Sequence, residues 1–173
     1  PRFRFGLDLG CEWKGIDFSM FWQGVAKRDL WLDGPMFWGI SGGEWQSTGL
    51  KEHLDYYRPE NTTSVFGPNT NAYFPKMYMS KDMNQKVQTR YLQNGAYARL
   101  KNIQLGYTFP TQIINKLHMQ KLRVYVSAEN VLTITSLPSG FDPETTYSSY
   151  SDGNSGKTYP LQTTISFGLN ATF

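Results

Sequence analysis

The run LQTTISFGLNATF at positions 161–173 constrains the fold more than any other stretch. Leu161, Thr163, Ile165, Phe167, Leu169, Ala171 and Phe173 share one parity, and Gln162, Thr164, Ser166, Gly168, Asn170 and Thr172 the other. Successive side chains of a strand point to opposite faces, so this is a strand with an apolar and a polar side. Its length matters too. Strands of soluble domains usually run about 5–6 residues, whereas a tilted membrane-crossing strand needs roughly 9–11. The apolar side must face either a packed core or hydrocarbon.

Four further segments repeat the pattern, and the expected strands are approximately 2–10, 15–25, 96–109, 121–132 and 161–173. The apolar rows are Phe3, Phe5, Leu7 and Leu9 in the first strand, and Ile16, Phe18, Met20 and Trp22 in the second. Ile103, Leu105, Tyr107 and Phe109 form the third row, and Leu122, Val124, Val126 and Ala128 the fourth. Phe21 interrupts a polar row and is expected to pack inside. Arg99 and Lys101 share parity with the apolar row of the third strand. An arginine or lysine at the middle of a bilayer costs about 2–4 kcal/mol, so that end of the strand is expected to project beyond it.

The connections alternate short, long, short, long. Tight turns follow the first and third strands, and long segments, about 26–95 and 133–160, follow the second and fourth. An antiparallel meander puts all short connections at one end and all long ones at the other, the asymmetry of outer-membrane barrels with periplasmic turns and extracellular loops. Trp13, Phe109 and Phe173 then meet at the short-turn rim, where interfacial aromatics belong. The rows expected to face lipid are Ile16, Phe18, Met20, Ile103, Leu105, Val124, Val126, Ile165, Phe167 and Leu169. A soluble β-sandwich or lipocalin-like barrel explains the alternation equally well, but the strand lengths and loop asymmetry less well.

The composition is compatible with this. No run approaches the ~18 apolar residues of a membrane helix, and a barrel wall that alternates faces keeps its mean hydropathy low. The single cysteine, Cys11, allows no internal disulfide and no multi-cysteine metal site. A net charge of +3, scattered along the chain, gives no argument for nucleic acid. The first residues enter a strand pattern without an initiator Met, so the chain is expected to be part of a longer protein.

No catalytic constellation is visible, so no enzyme activity and no cofactor are expected. His53 and His118 fall at opposite ends of the expected topology and do not form a metal site. Asp142 and Glu144 suit a calcium ligand pair or an acid/base pair, but Asp-Pro-Glu is more simply turn chemistry. Trp31, Trp38 and Trp45 recur at a spacing of seven within the first long segment, and Tyr56 and Tyr57 follow. Aromatic faces of this kind stack on sugar rings. They also supply the core that a seventy-residue loop requires. Both readings stand for these five residues.

Three stretches carry a family resemblance. NGAYARLKNIQLGYTFP, through Tyr97, Arg99, Leu100, Lys101, Asn102, Leu105, Gly106, Tyr107 and Pro110, resembles a strand motif of the SusC/RagA family of TonB-linked outer-membrane transporters. LRVYVSAENVLTITSLPSGFDPE is similar to the family's next strand and loop, with Asn130, Leu132, Thr133, Gly140, Asp142, Pro143 and Glu144 matching. YPLQTTISFGLNATF resembles its terminal strand. The segment HLDYYRPENTTSVFGPNTNAYFPK is also similar, though Tyr57 stands where the family usually has Trp, and Lys76 where it often has Arg.

The resemblance implies an all-β fold, the last five strands of a 22-stranded barrel of the plugged-transporter kind. It implies import of oligosaccharides or peptides across the outer membrane of a Gram-negative bacterium. The implied partners are a SusD-like surface lipoprotein, the TonB–ExbB–ExbD complex reached through an N-terminal part, outer-membrane lipid, and the barrel-assembly machinery, which would read the strand ending in Phe173. A passive porin, or a secreted or surface glycan-binding β protein without transport, are the alternatives.

Overall fold

The structure is a computed structural model that describes residues 1–39, 49–78, 84–146 and 158–173. Two compact units emerge. The first comprises Pro1–Asp29, Asn94–Ser136 and Leu161–Phe173, and the second Leu30–Gln93 with Leu137–Pro160.

The first unit is a five-stranded antiparallel sheet built from β1 (Arg4–Trp13), β2 (Ile16–Val25), β5 (Tyr97–Thr108), β6 (Lys121–Thr135) and β7 (Thr164–Thr172). Strands that follow one another in this series are neighbours in the sheet, so it is an up-and-down meander. Two minor strands, β3 (Asp29–Leu30) and β4 (Gln93–Asn94), pair separately. β1 runs on to Trp13, past the stretch read as turn, because the β1–β2 connection needs only Lys14 and Gly15. Both take positive φ, 49° and 85°, the signature of a tight hairpin turn whose twist matches its strands. A Cβ on Gly15 would stand 2.7 Å from the Thr108 carbonyl oxygen. The β5–β6 connection holds one helical turn, α2 (Thr111–Ile114), and buries Ile114 while Ile113 stays exposed.

The register departs from the sequence reading at one point, with consequences along half the sheet. Phe21 pairs with Asn102 but Trp22 pairs with Leu100, so Lys101 is an extra residue in β5. Such a bulge reverses the parity of everything beyond it. Arg99 therefore does not share a face with Ile103 and Leu105. It lies beside Gln23 and Thr133 in the polar rows, and its Nε donates to Thr133 Oγ1 at 2.8 Å. Leu100 takes the place on the apolar face. Opposite, β6 accommodates the bulge at Asn130, whose φ is +53°, a left-handed value that asparagine tolerates better than most residues. The Asn130 side-chain amide donates to the Gln162 carbonyl at 3.1 Å, and the Thr163 hydroxyl donates to the Asn130 carbonyl at 3.0 Å. Side-chain bonds thus replace ladder pairing here, and β7 begins at Thr164 rather than at 161.

Among its described residues the second unit has little regular structure: α1 (Pro35–Trp38) and short 3-10 turns at Lys51–Leu54 and Thr89–Tyr91. Its order comes from a core instead. Leu30, Leu32, Phe37, Trp38, Phe74, Tyr91, Leu137 and Phe141 are buried together, with Trp31 and Tyr56 packed against them. Arg58 staples the chain around it. Its guanidinium donates to the carbonyls of Gly67 (2.6 Å) and Leu54 (2.7 Å), and it lies 4.7 Å from the Tyr56 ring centroid.

Candidate functional site

Three surfaces among the described residues bear on function: the two faces of the sheet and a groove in the loop unit. On the apolar face, pairing aligns residues into rows across the strands. Trp13, Ile16, Tyr107, Val124 and Leu169 form one row; Cys11, Phe18, Leu105, Val126 and Phe167 the next; Leu9, Met20, Ile103, Ala128 and Ile165 a third. Beyond the bulge come Leu7, Trp22, Leu100 and Leu132, then Phe5, Gly24, Ala98 and Ile134. No charged residue interrupts these rows, and they are widely open to the surroundings, with Phe167 84% and Leu169 64% exposed, although Leu100 beyond the bulge is buried at 8%. A contiguous apolar surface of this extent is foreign to a soluble monomer. The ten residues expected to face lipid all lie in the first three rows. Trp13, Phe109 and Phe173 come to the same end of the sheet, since Gln120 N–H donates to the Thr172 carbonyl beside the start of β6.

The opposite face carries Glu12, Asp17, Gly106, Tyr125 and Gly168 in one row and Gly10, Ser19, Gln104, Ser127 and Ser166 in the next. Its centrepiece is a two-pronged ion pair. Arg123 on β6 reaches over β5 to Asp17 on β2, with Nε donating to Oδ2 at 2.8 Å and Nη2 to Oδ1. This crossing exists because Gly106 has no side chain: a Cβ there would sit 2.5 Å from both Arg123 Nη2 and Asp17 Oδ2. Gly168 plays the same part for Tyr125, whose ring atom Cζ would lie 2.1 Å from its Cβ, and the Arg123 guanidinium stands 4.8 Å from that ring's centroid. Phe21, the exception in the polar row, covers Gly6. Aromatic rings laid over strand glycines fill what would otherwise be gaps in the sheet.

The groove lies in the loop unit, over the buried Phe74, Ala72 and Tyr91 and between Tyr57, Lys76, Tyr78, Asn84 and Arg90. Tyr57 and Tyr78 are 42% and 52% exposed. Arg90 is aimed by two backbone carbonyls, Ala72 at 2.7 Å and Tyr73 at 3.4 Å. Burial raises the Tyr91 phenol above its ordinary pKa, which keeps it protonated as part of the floor.

The aromatic candidates separate accordingly. Trp38 is no sugar platform. It is 3% exposed, its indole N–H donates to the Leu32 carbonyl at 3.1 Å, and the rings of Phe37, Phe74 and Tyr91 surround it. Trp31 packs against it at 5.7 Å, and Tyr56 lies against the same core. Trp45 falls outside the described residues. Among the described candidates, Tyr57 borders the groove. Its companions Lys76, Tyr78 and Arg90 were missed as site residues. Lys76 and Tyr78 sit two apart after Pro75, a weak extended-chain signal, and Arg90 joins them with no local signal at all.

The polar candidates are structural. His53 is buried; Nδ1 accepts from the Leu50 N–H at 2.8 Å, so Nε2 carries the proton and donates to the Phe37 carbonyl at 3.0 Å. Asp142 Oδ1 accepts the Glu144 N–H at 2.8 Å, the turn chemistry expected of Asp-Pro-Glu. Among the described residues no three histidine, cysteine or carboxylate side chains gather as a metal site.

Comparison with known proteins gives a consistent answer. The chain is 28% identical over 180 residues to TonB-dependent receptor P3 of Formosa agariphila, covering all of this chain and 16% of that protein. It is 25% identical over 179 residues to TonB-dependent receptor P26 of the same organism, covering all of this chain and 17% of that one. The chain thus spans about one sixth of the length of these relatives. No family model matches it. Among solved structures it superposes on the RagAB peptide importer in the closed-closed state with a TM-score of 0.65 at 24% identity, covering 98% of this chain and 17% of that one. The open-open state gives 0.64 at 22% identity, with the same coverage. These proteins are named receptors and importers rather than enzymes.

Proposed function

We propose that this chain, a stretch of a TonB-dependent receptor of the SusC/RagA type, supplies a lipid-facing wall segment and a loop unit to an outer-membrane nutrient importer. The observation that carries the reading is the largely exposed apolar face, whose paired rows hold no charged residue because the bulge at Lys101 moves Arg99 to the polar side. Strands of 9–15 residues are long enough to cross hydrocarbon at a tilt. In this reading Ile16, Phe18, Met20, Ile103, Leu105, Val124, Val126, Ile165, Phe167 and Leu169 touch lipid, and the polar rows with the Asp17–Arg123 bridge line a wet interior. The sheet would continue into a closed 22-stranded barrel, which removes its open edges. The long segments would face outward and contact a SusD-like lipoprotein. The cargo class is oligosaccharide or peptide, and TonB–ExbB–ExbD would drive import through a part of the receptor N-terminal to this chain. Phe173 would be read during barrel assembly.

Nitroxide labels at 104, 105, 165 and 166 of the full receptor in lipid bilayers test the reading. Positions 105 and 165 should be accessible to oxygen, and 104 and 166 to a water-soluble nickel chelate. Shielding of 105 and 165 from both quenchers would mean a packed protein core and would overturn it.

A further inference from the structure

We propose that the groove bounded by Tyr57, Lys76, Tyr78 and Arg90 binds the acid groups of a uronate-bearing oligosaccharide; this names a cargo class and rests on the importer reading.

Charge is the first argument. Among the described residues neither Lys76 nor Arg90 has a carboxylate at salt-bridge distance, so two exposed cations border one groove. The nearby Asp55 is already engaged: Oδ1 accepts from the Asn69 amide at 2.8 Å and Oδ2 from the Tyr73 N–H at 3.1 Å. Arg90 is also held in place. The bonds to Ala72 and Tyr73 fix its fork, and Nη1 takes no part in them. A planar fork with donors to spare matches a carboxylate.

Shape is the second. Tyr57 and Tyr78 offer exposed phenol rings, and Lys76 Nζ stands 5.4 Å from the Tyr78 ring centroid. A ring face with a cation beside it suits a pyranose carrying an acid group, with the C–H face on the ring and the carboxylate on the ammonium.

The backbone favours a sugar over an acidic peptide. Extended peptides gain affinity by adding to an unpaired strand edge. Here the Tyr57 N–H already donates to the Phe74 carbonyl at 2.9 Å and the Phe74 N–H to the Asp55 carbonyl at 3.0 Å. Those two N–H groups are spent on the fold and are not open to strand addition, which leaves the exposed Tyr57, Lys76, Tyr78 and Arg90 side chains to recognise the ligand.

Calorimetry on the full receptor in detergent, with tetragalacturonate, maltotetraose and tetraglutamate as probes, tests this. Tetragalacturonate should bind best, and more weakly as salt rises. The K76Q/R90Q double variant should lose about tenfold or more in affinity. Y78A should lose affinity while keeping the salt dependence. Heat-modifiable migration on gels checks that each variant is a folded barrel. Equal binding of maltotetraose, preference for tetraglutamate, no binding of any probe, or an unaffected K76Q/R90Q variant would each overturn the proposal. Because binding in detergent does not depend on lipid contact, the nitroxide experiment can fail while this one succeeds, and the reverse.

Discussion

The two units use the same kinds of side chain in opposite ways. In the sheet, Phe167, Leu169 and Ile165 stand 84%, 64% and 63% exposed; in the loop unit Leu32, Phe37 and Trp38 are 0%, 3% and 3% exposed. The sheet gets its order from backbone ladders that form whatever covers its apolar face. Among its described residues the loop unit has few ladders and depends on an aromatic core gathered from distant parts of the chain. A region ordered by hydrogen bonds can present its hydrophobes to an outside solvent, and a region ordered by burial cannot.

The largest expected effect falls on the core. Trp38→Ala should cost the loop unit about 3–5 kcal/mol, seen as rapid proteolysis between 30 and 93, with heat-modifiable barrel migration retained. Loss of the barrel as well would deny that the two regions draw on separate sources of order. Next comes the sheet's apolar face. Leu105→Arg should cost about 2–4 kcal/mol if it meets mid-bilayer hydrocarbon, and lower the amount of receptor in the outer membrane, whereas Gln104→Arg should leave it nearly unchanged. Equal losses at both would erase the difference between faces. On the polar face, Gly168→Ala drives a methyl group into the Tyr125 ring, an overpacking worth about 1–3 kcal/mol, measurable as a lower unfolding midpoint in urea. The smallest effect belongs to Asp17→Asn. Its side chain is 24% exposed and that of Arg123 17%, so the pair should contribute about 1 kcal/mol or less. That contribution should shrink in high salt; a loss that salt does not change would place the pair in a drier setting than a wet interior.

Much of the sheet was legible because a strand's side-chain period is local. Ile103 and Leu105, or Ile165, Phe167 and Leu169, declare their shared face within a few residues. The bulge left only a faint local trace. Counted straight through, ARLKNI puts Arg99 and Lys101 on the parity of Ile103, and the successive polar residues Lys101 and Asn102 mark a break in phase; pairing with Trp22 on one side and Leu132 on the other shows that Lys101 is the extra residue. The function of Gly106 was equally hidden, since the side chains that cross it come from positions 17 and 123. In the loop unit the tryptophans were visible as residues of consequence, but nothing local separates a core indole from an exposed one.

By itself, then, the chain's order of residues determined that long two-faced strands would form, that short turns would gather at one end, and which rows would be apolar, because each depends on neighbours in the chain. The tertiary structure alone decided that Arg99 turns to the polar side, that Trp38 is buried while Tyr57 and Tyr78 border a groove, and that Lys76 and Arg90 meet there. Each of these is a contact between residues far apart in the chain, and periodicity carries no information about which distant segment will supply the other half.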